Sequence, residues 1–220
     1  MRTDWGAHAA REEDRYREGV QRLPDEPDAR QKQLVRVAMA AGGAGLARLM
    51  QGREDEASGW FARSAERYRE SFEHAPPESW GRLIGVVKAR ILAGDWGGAE
   101  RDAEWALAQK ADASNSPIAR YAGALAALVL GRDTEAASMS LALLAEEETA
   151  FPRSVADSLL ALAGADADGY ARAAGAVLRS FETRESYLED VPVADTVIVL
   201  EALAERRGIA AGLHSALLPS

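Results

Sequence analysis

Few residues in this chain are able to do chemistry, and their spacing argues against most of it. Glu70, Glu73 and His74 fall on neighbouring turns of a helical stretch, an arrangement in which two carboxylates and an imidazole ligate a metal. A di-iron bundle, however, needs matching Glu-x-x-His pairs on other helices, and His8 and His214 lie near the termini. The trio therefore reads as a solvated helix face. Asp166-Ala167-Asp168-Gly169 opens like a calcium loop, but its twelfth position is Val177, where a bidentate glutamate is required. Gly42-Gly43-Ala44-Gly45 fits neither the dinucleotide fingerprint nor the Lys-Ser/Thr ending of a phosphate-binding loop, and reads as close packing or a bend. Without cysteine, thiolate metal sites, disulfides and cysteine nucleophiles are excluded. No Gly-x-Ser-x-Gly elbow or ordered Ser/His/Asp set can be argued. The reading is of no catalytic residue, no metal and no cofactor.

One set of charged residues recurs. Arg82-x-x-Gly85-x-x-x-Ala89 and Arg120-x-x-Gly123-x-x-x-Ala127 share a spacing, and Arg153-x-x-Ala156 echoes it. Each arginine falls in the opening turns of an expected helix, opposite the apolar stripe, where the positive end of the helix dipole disfavours a cation by roughly 0.3–1 kcal/mol. Two readings follow. Arg82, Arg120 and Arg153 line one groove and bind the carboxylates of an acidic partner segment, or they are solvated or paired within the chain.

The elements that must position them are helices. Hydrophobic residues make up 47% of the 220 residues, many of them alanine, and aromatics only 6%, which favours an all-α protein with close helix contacts. Apolar periodicity predicts about ten helices and no sheet. The first runs from about Asp4 to Leu23, at the edge of the fold because Glu12 and Glu13 interrupt its apolar face. Asp28 caps a long, central second helix, and Trp60, Phe61, Ala65, Tyr68 and Phe72 form a core face on the third. Ser79 is the expected cap of the fourth, Ser116-Pro117 starts the sixth, the seventh runs through about Leu144 to an ending near Glu146-Glu147-Glu148, and Pro152 opens the eighth. The last is expected to start at Asp190-Val191-Pro192 and to end at Arg206-Arg207-Gly208; the valine-rich Val191 to Leu200 also suits a strand, but the helical spacing continues through Leu203 and Ala204.

Between helices a motif repeats: a glycine ends an apolar run, polar residues follow, and an alanine comes five positions on. It occurs as Gly52…Ala57, Gly94-Asp95-Trp96-Gly97-Gly98-Ala99 and Gly131-Arg132-Asp133-Thr134-Glu135-Ala136, with a weaker echo at Gly164. Glycine takes the left-handed conformation that ends a helix, a polar residue caps the next, and alanine lets the two approach closely. The turn Gly94-Asp95-Trp96-x-x-Ala99, followed by Ala106, resembles the junction between the two helices of a tetratricopeptide repeat. Intervals of 42, 37 and 33 residues between turn glycines depart from that family's 34, which marks a degenerate version. The resemblance covers residues 30 to 180 and implies a TPR-like stack of helical hairpins that binds a protein or peptide.

The ending, Val193-Ala194-Asp195 through Leu203-Ala204-Glu205-Arg206-Arg207-Gly208-Ile209 to Leu218-Pro219, is also similar to bacterial immunity proteins of the Imm49 type, which implies toxin neutralisation. A helical enzyme or small-ligand binder with an internal pocket near Trp80, Trp96 or Trp105 is the alternative of a different class. The expected organisation is a peripheral helix and linker over 1–27, the repeat domain over 28–209 and a tail over 210–220, anchored by Leu217 and Leu218. A net charge of -9 argues against nucleic acid as a partner. With neither an apolar leader after Met1 nor an apolar run of roughly 20 residues, a cytoplasmic protein without membrane partners is expected.

Overall fold

The structure, a computed structural model, describes residues 3–110, 114–146, 151–187 and 190–220. It is all-α. Ten helices occur among the described residues: α1 (Trp5–Gln21), α2 (Pro27–Leu49), α3 (Glu54–Phe72), α4 (Gly81–Leu92), α5 (Trp96–Ala108), α6 (Pro117–Val129), α7 (Asp133–Leu144), α8 (Arg153–Ala163), α9 (Ala167–Glu182) and α10 (Asp195–Glu205). Two compact units divide them. One holds the described residues of Met1–Asp95, Glu185–Val193 and Ala216–Ser220, the other those of Trp96–Arg184 and Ala194–Ser215.

The turn glycines do what their spacing predicts. Gly52, Gly94 and Gly131 adopt φ of 69°, 68° and 69°, a region that costs a residue with a Cβ roughly 1–2 kcal/mol. Each donates its N–H three residues back, and the next N–H closes a wider loop: Arg53 to Arg48 O, Asp95 to Arg90 O and Arg132 to Ala127 O. This pair of bonds is the Schellman ending of a helix. Gly208 (φ 70°) ends α10 the same way, with Ile209 donating to Ala204 O at 3.0 Å. The echo at Gly164 is displaced by one residue: Gly164 is itself helical, and the left-handed position falls on Ala165 at φ 50°, with Asp166 donating to Ala161 O at 2.9 Å.

The caps depart from expectation in several places. Pro27 occupies the first turn of α2 with Glu26 as its cap, whose carboxylate accepts from Asp28 N and Ala29 N, so Asp28 lies inside the helix. Ser79 does not cap α4; its hydroxyl donates back to Pro76 O at 2.8 Å. Arg53 and Arg132 sit at cap positions without a side-chain cap bond. Acids supply the stabilisation there instead, since Glu54, Asp55 and Glu56 open α3 and Asp133 and Glu135 open α7, against the positive ends of the dipoles.

In the first unit, α2 packs between α1 and α3 and buries Leu34, Val37, Ala38, Ala41, Ala44 and Ala47. Its glycine run reflects close packing: a Cβ on Gly45 would lie 2.6 Å from the Phe61 ring. Phe61 and Ala65 are buried, whereas Trp60, Tyr68 and Phe72 are half-buried. The expectation that Glu12 and Glu13 break the packing face of α1 is overturned. Glu12 is fully buried, and Arg11 Nε at 2.8 Å and Arg15 Nη1 at 3.0 Å neutralise it, while Glu13 reaches α2 through Arg48 at 2.6 Å.

In the second unit α6 is the most buried helix, continuous in the core from Tyr121 to Val129, against α5, α7 and α8. A Cβ on Gly123 would meet Met139 Sδ of α7 at 2.5 Å. The alanines five residues after the turn glycines, Ala57, Ala99 and Ala136, are 1%, 0% and 0% exposed, as close helix approach requires. Helix α10 starts at Asp195 rather than at Pro192. Val193 N–H bonds Val191 O at 2.8 Å around the proline, and Val191, Val193 and Ala194 are buried as an irregular segment instead of a helical turn. Helix α7 ends at Leu144; Glu147 and Glu148 lie outside the described residues.

Replacing Ala99 or Ala136 with leucine should overpack these crossings and lower stability by roughly 1–3 kcal/mol in urea unfolding. Ala165→Gly should act in the opposite sense, raising stability by about 0.5–1 kcal/mol, because it relieves a left-handed alanine at modest entropic cost.

Candidate functional site

The three recurring arginines start from helix beginnings, where their own dipole is unfavourable, and each reaches the far end of a neighbouring helix. Arg82 in the first turn of α4 donates through Nη1 to Ser71 O in the last turn of α3 and through Nη2 to Gln31 Oε1. Arg120 of α6 donates to Ala142 O at 3.4 Å, near the end of α7, to the Glu146 carboxylate and to Asn115 Oδ1. Arg153, the first residue of α8, donates to Leu144 O at 2.7 Å, the last carbonyl of α7. The second unit thus brings Arg120 and Arg153 together on one helix end, and Arg82 does the same work within the first unit. The last carbonyls of a helix have no intrahelical partner and carry its negative dipole end, so a guanidinium there recovers what it loses at its own helix start. The side chain of Arg120 is 18% exposed, and Arg153 is largely open to solvent.

The other residues with chemical potential separate. Glu70 accepts from Arg30 at 2.9 Å and Arg67 at 2.6 Å, while Glu73 and His74 are exposed. Among the described residues no three His, Asp or Glu side chains gather as a metal site. Burial pushes the Glu70 carboxyl up, but the hydrogen bonds and charges of Arg67 and Arg30 outweigh it and hold the group below the usual carboxylate range. Asp166 caps α9, its Oδ1 accepting from Gly169 N at 2.9 Å.

Contacts between distant residues are where sequence reading had no signal. Tyr170, the counterpart in α9 of the turn alanines, is fully buried, and its hydroxyl donates to Glu201 Oε1 at 2.6 Å. Burial first, then Glu201, push the phenol's proton affinity up. The same carboxylate accepts from Ala211 N and Gly212 N, and Ser215 bonds Glu182 at 2.8 Å, so the irregular tail is tied down by hydrogen bonds as well as by buried Leu218.

Among the clefts of the second unit, two carry charged lining residues. One, of about 520 Å³, is lined by Glu100, Leu203, Arg206, Arg207 and the turn around Gly131. Arg207 bridges that turn, donating to Leu128 O at 2.7 Å and Asp133 at 3.0 Å, and Arg206 lies 4.2 Å over the Trp96 ring. The other, of about 610 Å³, lies between α8 and α9 and is lined by Ser154, Asp157 and Arg172 among small residues. Of the remaining tryptophans weighed for a pocket, Trp80 has a buried indole N–H without a hydrogen-bond partner among the described residues. No helix among the described residues is long and apolar enough to cross a membrane.

Arg82→Ala and Arg120→Ala should each cost about 1–2 kcal/mol of stability, and the exposed Arg153→Ala less than about 1, measured by urea unfolding. Glu70 adds a pH dependence. Its folded proton affinity is depressed, so its contribution is complete above the unfolded value and is lost as pH falls through the folded one. Wild type and Glu70→Gln should therefore differ in melting temperature at neutral pH, with the gap narrowing only as pH falls below the ordinary glutamate value. Comparison of the chain with protein-family models, curated proteins and solved structures returned no match.

Proposed function

We propose that this chain is a non-enzymatic, TPR-like helical-repeat scaffold that binds a protein or peptide. The observation that supports the reading is repetition: one Schellman turn is built at Gly52, Gly94, Gly131 and Ala165, and a new helix starts two residues later each time. Repeats of this kind expend sequence on an extended surface. The cleft between α8 and α9 offers groups suited to a peptide, because Asp157 and Arg172 have no ion-pair partner among the described residues. Arg153 retains exposure for an acidic partner group, whereas Arg82 and Arg120 serve mainly the helix ends they cap.

The test is affinity capture from a host lysate, followed by calorimetric titration of the captured protein made on its own. A saturable complex is expected whose affinity falls with salt and, about twofold to fivefold, in Arg153→Ala. Capture of a secreted or injected toxin would turn the scaffold into an immunity protein. Absence of any saturable protein partner, with turnover of a small molecule instead, would overturn the proposal.

A further inference from the structure

The charge of this protein is unevenly used. Against a net charge of -9, a cleft of about 330 Å³ between α1 and α2 is lined by three arginines, Arg15, Arg22 and Arg36, and a single carboxylate, Glu18. The floor is formed by close helix approach: Gly19 faces Val37, and Gln33 Nε2 donates to Gly19 O at 3.2 Å. Folding accounts for only one of the guanidiniums. Arg15 neutralises buried Glu12 and bonds Asp190 at 3.2 Å. Arg22 meets Glu18 at 3.2 Å with side chains 75% and 61% exposed, an i,i+4 pair worth only about 0.3–0.5 kcal/mol in general. Arg36 is exposed and has no ion-pair partner among the described residues.

We infer that this cleft is a docking site for the carboxylates of an acidic peptide segment. The inference rests on the reading of the chain as a peptide-binding scaffold and names the chemistry of one contact. Two guanidiniums with unspent donors flank a recess at the small end of the ligand-pocket range, large enough for one or two side chains. Each can bind a carboxylate through two parallel N–H bonds, and in an otherwise acidic molecule an incoming acidic chain gains most where the local sign reverses. A polynucleotide, which needs a long run of phosphate contacts, would meet the negative remainder of the surface.

The probe is a fluorescently labelled peptide of glutamates only, titrated into the full chain by anisotropy, with a glutamine peptide and inorganic phosphate as comparisons. Wild type should bind the glutamate peptide saturably and lose affinity as salt rises. The double variant Arg22→Glu/Arg36→Glu should bind about tenfold more weakly, and Arg101→Glu/Arg179→Glu, two exposed arginines of the other unit with the same change in net charge, within about twofold of wild type. Should the first double variant melt early, Arg36→Gln alone decides the matter, with an expected loss of about threefold. Equal losses in both double variants, no saturable binding, or binding of phosphate but not peptide would each overturn the inference. A host partner captured equally by wild type and Arg22→Glu/Arg36→Glu would remove the cleft and leave the scaffold standing. Peptide binding that depends on these arginines, without any host partner, would do the reverse.

Discussion

The carbonyls at the end of each helix must find donors, and this protein meets that constraint in two ways. Helices α2, α4, α6, α8 and α10 end in a residue of positive φ, so that the backbone itself folds back and supplies two N–H groups. Helix α5 does so in part, with Lys110 at φ 60° donating to Leu107 O at 2.9 Å, and side-chain donors serve helix ends of both kinds, Ser58 at Ala93 O after α4 and Arg207 at Leu128 O of α6 among them. Gln33 serves Gly19 O of α1, Arg82 serves Ser71 O of α3, Gln109 serves Trp105 O of α5, Arg120 and Arg153 serve α7, and Arg184 serves Ser180 O of α9. At Gly52, Gly94, Gly131 and Ala165 the backbone solution turns the chain so that the next helix starts two residues on.

This demand for donors gives the recurring arginines a physical cause. A cation at a helix start is mildly unfavourable when that helix is considered alone, which makes its repetition suggestive of a ligand. Antiparallel packing places the start of one helix beside the end of another, and the guanidinium spans the gap. The same logic explains Arg207, which closes α10 through Leu203 O while it also holds Leu128 O and Asp133 at the turn after α6. Charges that look like binding groups in one dimension are therefore largely absorbed by the fold. Arg36, Asp157 and Arg172, which have no ion-pair partner among the described residues, line clefts.

Small residues carry the remaining constraint. Gly45 against Phe61 and Gly123 against Met139 place one helix against the large side chain of the next, and the turn alanines do so just beyond each reversal. Where the fourth turn puts Tyr170 at the equivalent position, the larger side chain passes into the core and its hydroxyl finds Glu201. A polar atom so buried must be paired, and the pairing also anchors the tail through Ala211 and Gly212.

Helix number, the turns at Gly52, Gly94 and Gly131, and the burial of Ala99 and Ala136 were legible in the sequence, because helices and Schellman turns are closed by bonds over three to five residues. The cap at Glu26, the left-handed Ala165 and the irregular run Val191–Ala194 were not, since each is chosen among near-equal local options by what surrounds it. Of the candidate site, the spacing of Arg82, Arg120 and Arg153 was visible but their acceptors were not. A guanidinium bonds the unsatisfied oxygens within its reach, and Ser71 O, Ala142 O and Leu144 O come within reach only once the helices have packed. For the same reason Glu12 and Glu13 read as interruptions of a face, although Arg11, Arg15 and Arg48 make them part of the interior. Local hydrogen bonding decided the elements of this protein from its sequence alone, and the destination of its charges was decided by tertiary packing, because an ion pair depends on distance in space and not along the chain.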